Sequence, residues 1–286
     1  RYAYDPTVGM QSLAWDPWTT SLDPTLPRDQ SGDDARSLCF TSAPLVEPME
    51  VTGVASAVVE VAASALPLHL VVKLSDVAPN GRSTLITTGW IDLARCTTPA
   101  ARAQVEVMLR ATSYCIGAGR RLRVAIACAD FPRLWPTPKP ATLSLFHGAS
   151  RVRLPVCPRP AGEPTLPKRG ALQPEALAAA NDLGGEQSWN LGTDLMTDTA
   201  RMEARKTERV RIDGGTIVMS DHRYGAAVSA ARPDLARMSS TTTIAVERAT
   251  SRIDLVARTV TTGHDMAADV EIKIDGQPYW RNSWRC

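Results

Sequence analysis

No run of about eighteen apolar residues occurs in the chain, so no helix read from the sequence can span a bilayer. The opening residues, Arg1-Tyr2-Ala3-Tyr4-Asp5-Pro6, lack the basic and then apolar order of a secretory leader. Excess charge is missing too: 32 basic against 30 acidic residues leave +2, which gives no field to recruit nucleic acid or an anionic membrane. Aromatic residues are 5% of the chain, few for a sugar platform built from exposed rings. Six cysteines, at 39, 96, 115, 128, 157 and 286, form no Cys-x-x-Cys pair. That dispersal reads as reduced, mostly buried thiols of a cytoplasmic protein.

Catalytic motifs are equally scarce. A nucleophile elbow needs Gly-x-Ser-x-Gly, because the serine sits on a sharp turn from strand to helix. The nearest run, Gly53-Val54-Ala55-Ser56-Ala57, lacks the second glycine and continues into a strand, so Ser56 is read as a strand residue. His69, His147, His222 and His264 are scattered, with no zinc or calcium spacing around them. Gly117-Ala118-Gly119 precedes a strand rather than the helix a phosphate cradle requires, and is read as a tight turn. No catalytic residue, metal or cofactor is expected.

What the sequence does have is strand periodicity. Leu68, Leu70, Val72 and Leu74 alternate with His69, Val71, Lys73 and Ser75; Leu122, Val124, Ile126 and Cys128 alternate with Arg121, Arg123, Ala125 and Ala127. Each pattern predicts a half-buried strand, and two such faces predict a sheet packed on a sheet. Val51 to Val61 is apolar almost throughout, predicting one strand covered on both faces. Asn80-Gly81 predicts a hairpin turn. Ala141 to Phe146 and Arg151 to Val156 read as two further strands, with His147 in the loop between them. Prolines between 155 and 167 mark a linker, and Pro174 to Ala180 is the one convincing helix. Beyond it, alternation returns: Ile253, Leu255 and Ala257 against Arg252, Asp254 and Arg258; Val270, Ile272 and Ile274 against Glu271 and Lys273.

The order Phe40, Pro44-Leu45, Val51-Thr52-Gly53, then Lys73 to Arg82, Gly89-Trp90 and Gly119 to Val124 carries a family resemblance. It extends through Ala129-Asp130-Phe131-Pro132-Arg133-Leu134-Trp135-Pro136-Thr137-Pro138 to Ser150–Val156. The chain resembles the C-terminal non-catalytic domain of the X-Pro dipeptidyl-peptidase and cocaine-esterase-like (CocE/NonD) serine hydrolases. The resemblance implies an all-β fold, a galactose-binding-like jelly-roll β-sandwich over 38–158. An extended arm (1–37), anchored by Trp15 and Trp18, would lead from an α/β-hydrolase domain upstream. A β-rich extension (159–286) would follow, and the ending at Trp284-Arg285-Cys286 reads as a truncation.

The implied function is accessory: to pack on the catalytic domain and wall one side of its substrate cleft. Trp90, Phe131, Arg133 and Trp135 are the candidate contact residues, with capping of the sandwich core as the other use of the same aromatic burial. Asp76 and Asp130 are read as tying down backbone donors near turns rather than as an acid and base pair. A free-standing carbohydrate-binding or protein-interaction module is the competing expectation, a subunit pairing with a separately encoded hydrolase the third. A homo-oligomer is compatible with each; nucleic acid and membrane are not expected partners.

Overall fold

The alternation centred on Leu70 becomes β5 (His69–Val77), the middle of the first of two units into which the computed structural model divides the chain. These units are Arg1–Ala161 with Ala230–Asp234, and Gly162–Ser229 with Leu235–Cys286. The structure describes residues 1–11, 29–157, 181–212, 215–263 and 265–286. Trp15 and Trp18, the proline linker, the helix expected at 174–180, residues 213–214 and His264 lie outside the described residues.

The fold is all-β, built from antiparallel sheets. In the first unit, one four-stranded sheet runs β1 (Tyr2–Ala3), β10 (Thr142–Arg153), β4 (Ser56–Ala63), β7 (Ala103–Met108). A second runs β2 (Leu38–Thr41), β9 (Arg121–Ala127), β5, β6 (Ser83–Asp92). Val59, Val61, Val105, Val107 and Leu143 of the first sheet share one buried cluster with Leu70, Val72, Leu74 and Ile126 of the second. Side chains from facing sheets thus meet in a common core, the arrangement of a β-sandwich. A small third sheet pairs β11 (Val156–Cys157), β3 (Met49–Gly53) and β8 (Thr112–Ile116).

Several expectations are corrected. Val51 to Val61 is not one strand: β3 ends at Gly53, whose φ of +129° suits glycine alone, and β4 begins at Ser56 in a different sheet. The two strands expected on either side of His147 are one, β10, interrupted by a register shift between Phe146 and Arg151, so His147 sits in a bulge. The cysteines are free but not mostly buried: only Cys128 is, while Cys39, Cys96, Cys115 and Cys286 are exposed. Within the arm, Tyr2–Ala3 pairs with β10, and Ser31–Asp34 forms a short helical turn, α1. β5 is not half-buried either. Val71, Lys73 and Ser75, on the side away from the core, are as buried as Leu70 and Leu74.

The second unit is a meander ordered β12 (Asn181–Asp182), β14 (Thr199–Ile212), β15 (Thr216–Ser229), β16 (Arg237–Arg248), β17 (Ser251–Thr262), β18 (Asp265–Ile274), β19 (Gln277–Arg285). β13 (Gln187–Asp194) also pairs with β14. Asp275 and Gly276 both take positive φ in the turn that joins β18 to β19.

Candidate interaction site

The outer side of β5 is buried because two distant stretches lie over it. Lys73 Nζ, 3% exposed, contacts Asp33 Oδ2 of α1 at 3.2 Å and Asp130 Oδ1 of the loop after β9 at 3.1 Å. It also donates to Gln30 Oε1 at 3.2 Å. Asp33 in turn binds Arg36 at 3.0 Å, and Arg36 Nη1 donates to Thr7 Oγ1 at 2.7 Å. Asp130 is gripped on its other side by Arg133, through Nε at 2.7 Å and through Nη2. Charges therefore alternate along Arg133, Asp130, Lys73, Asp33 and Arg36. Each buried carboxylate touches two cations, the condition under which charge survives removal from water.

Burial alone pushes the Asp130 carboxyl up, but Arg133 and then Lys73 outweigh it and hold the group below the usual carboxylate range. Beside this chain of charges, Arg123 binds Asp34 at 2.9 Å, clamping α1 to β9. The loop is fastened from the amino-terminal side too. Phe131 N donates to Val8 O at 2.9 Å, and Tyr4 OH, its pKa pushed up to about 12 by burial, reaches Thr137 O at 3.3 Å. A Cβ on Gly9 would lie 2.5 Å from Phe131 N, so only glycine allows this approach.

The four candidate contact residues lie on two elements, the loop held by Asp130 and β6. Phe131, Arg133 and Trp135 are in the clamped loop, and Trp135 stands edge-on to Phe131 with ring centroids 6.0 Å apart. Trp90 is on β6, paired with Val71, which faces the same way as Lys73. The Arg110 guanidinium lies 5.4 Å from the Trp90 ring centre. Their exposure separates them. Phe131 is fully buried and the Arg133 side chain is 5% exposed, so these two hold the loop in place. Trp90 and Trp135 are half-buried and keep surface for a contact.

Among the described residues, Asp76 and Asp130 pair with side chains and not with the backbone donors expected for them. Asp76 accepts from Tyr114 OH at 2.9 Å and from Arg120 Nε at 2.6 Å. Asp76 is neutralised by Arg120 and Asp130 by Arg133 and Lys73, which suits structural pairing rather than proton transfer. Ser56 Oγ donates to Glu106 at 2.8 Å from the start of β4, a strand position rather than a strand-to-helix turn. Sequence reasoning missed Gln30, Asp33 and Lys73. A lysine in the polar phase of a strand looks solvated until the stretch that covers it, some forty residues away, is in place.

Residues 1–162 match the model of the X-Pro dipeptidyl-peptidase C-terminal non-catalytic domain. A protein of Mycobacterium bovis named as a serine esterase is 31% identical over 159 residues, covering 45% of this chain and 25% of that protein. The cocaine esterase of a Rhodococcus species is 30% identical over 142 residues, covering 46% and 25%. The chain thus aligns with about a quarter of the length of these relatives. Among solved structures, an aminopeptidase from a marine sediment Thaumarchaeota archaeon aligns at 18% identity over 55% of this chain and 33% of that one, with a TM-score of 0.47. With a family model matched over more than half its length, this chain belongs to the family of X-Pro dipeptidyl-peptidase C-terminal non-catalytic domains.

Proposed function

We propose that the first unit is the accessory portion of a serine hydrolase acting on ester or peptide and amide bonds. It packs on an α/β-hydrolase domain and walls one side of the substrate cleft. The observation that carries this reading is the match of residues 1–162 to a non-catalytic domain, while relatives named as esterases are matched over only a quarter of their length. Trp90 and Trp135 are the contacts we assign to that packing, because they keep surface on a face that the Lys73 ion cluster holds rigid. A rigid, half-buried aromatic contributes much contact area at little entropic cost.

The test is co-purification of 1–286 with the α/β-hydrolase region read from the coding sequence upstream of Arg1, or from a neighbouring gene. Association of the two, weakened by Trp135→Ala and by Trp90→Ala, supports the reading. Failure to associate, or a saturable sugar signal on a glycan array lost in Trp135→Ala, overturns it in favour of a free-standing binding module.

A further inference from the structure

Residues paired across an antiparallel ladder share a face, so the register of the second unit sorts its side chains into two sets. One face carries Arg205, Asp221, Arg223, Arg252, Asp254 and Lys273, linked by ion pairs such as Arg205–Asp221 at 2.9 Å and Arg252–Glu247 at 2.5 Å. The opposite face carries Val218, Ile244, Leu255, Val270 and Ile272, one from each successive strand of β15 to β18 and a neighbour. From Val218 to Val228, Met238 to Val246, Ile253 to Thr261 and Met266 to Ile274, this face has no Asp, Glu, Lys or Arg. Trp280 and Trp284 of β19 continue it, 42% and 47% exposed.

At one end of this face Ala226 and Val228 are buried, but none of Val218, Ile244, Val246, Ile253, Leu255, Val270, Ile272 or Ile274 at the other end is, whereas the equivalent positions of the first unit are. That apolar end of the face, beyond which Ser220, His222, Ser240, Thr242 and Thr259 follow in register, requires a second layer over it. We propose that the second layer is the same face of a second copy of this chain, the two sheets packing as a sandwich across a two-fold axis.

Size and charge select this occupant. Five strands about 4.8 Å apart and ten residues long at about 3.4 Å each present roughly 800 Å². That is about what each partner contributes to a stable interface. An isologous contact sets each residue against its own kind of surface, so a face bearing net charge would repel itself. Over the stretches of β15 to β18 named above this face carries no Asp, Glu, Lys or Arg, and on the flanking β14 Lys206 and Glu208 offset each other at 2.8 Å, so it has no net charge there with which to repel a copy of itself.

Sedimentation equilibrium of the 1–286 chain tests this from about 1 to 100 µM, a range over which mass action resolves a micromolar dimer. The expected result is twice the 30.8 kDa chain mass at the upper end. Leu255→Lys should weaken association at least about tenfold, since a charge would be stranded in a dry interface. Val270→Thr, which keeps the strand former and nearly the same shape, should weaken it less and retain the far-ultraviolet spectrum. Thr243→Lys, on the charged face, should leave it unchanged. A single-chain mass throughout overturns the proposal and leaves the face to another protein such as the catalytic domain. So does an open-ended series of masses, which would mean edge pairing along β19. A dimer insensitive to both apolar-face substitutions overturns it equally.

Discussion

Lys73 shows how much rests on one side chain. It is the cation shared by Asp33 and Asp130, all three nearly inaccessible to water. Lys73→Met removes the charge and keeps the stem, leaving two buried carboxylates each with one partner fewer. The denaturation midpoint should fall by the equivalent of about 3 kcal/mol or more, the usual result of breaking a buried pair. Breaking the exposed pair Arg153–Glu106 should leave the midpoint near its original value.

The same cluster sets a pH dependence. Because Asp130 has a folded pKa below its unfolded one, its contribution is complete above the unfolded value of about 3.9 and is lost as pH falls through the lower, folded value. Unfolding free energy of wild type should therefore fall more steeply from about pH 4 downward than that of Asp130→Asn. Equal slopes would contradict the assignment. Thiol labelling reads another set of environments. Burial pushes Cys128 far up and Cys39 up to about 11, the latter helped by Asp34. Cys96, Cys115 and Cys286 should react first with a disulfide reagent at about pH 8, Cys39 should lag, and Cys128 should stay unmodified until unfolding.

At the level of elements, close backbone approach is as constraining as charge. Where β6 passes the end of β7, a Cβ on Gly89 would lie 2.1 Å from Met108 O and 2.9 Å from Leu109 Cα, with no flexible side chain to yield. Gly89→Ala should destabilise by about 2 kcal/mol or more through forced backbone shifts. Gly81→Ala, with φ of +88° but open space around it, should cost only about 1 kcal/mol of conformational strain. Thermal midpoints of the two variants compare the effects.

Strand content was legible because period-two alternation is a local signal: Leu68 to Leu74, Leu122 to Cys128 and Ile253 to Ala257 all predicted the elements that form. So was the Asn80-Gly81 turn, where Gly81 takes positive φ between β5 and β6. Breaks were less legible, since Val54 and Ala55 continue an apolar run whose direction is changed by Gly53 alone. Least visible were features made by distant covering. Nothing near Lys73, Val71 or Phe131 announces that α1 and the amino-terminal residues bury the outer side of β5, or that this burial separates Phe131 and Arg133 from Trp90 and Trp135.

For the whole molecule, the two units place their apolar surface differently. The first closes two sheets on a shared core and adds a layer of paired charges outside it; the second spreads its apolar residues over one face of a meander. On the accessory role we propose for the first unit, the reaction belongs to a domain outside these residues. The most direct measurement of that assignment is the turnover of an activated ester by purified 1–286, with and without a serine-directed phosphonate. Turnover at the phosphonate-insensitive background is the predicted result; hydrolysis well above background and abolished by the phosphonate would contradict it.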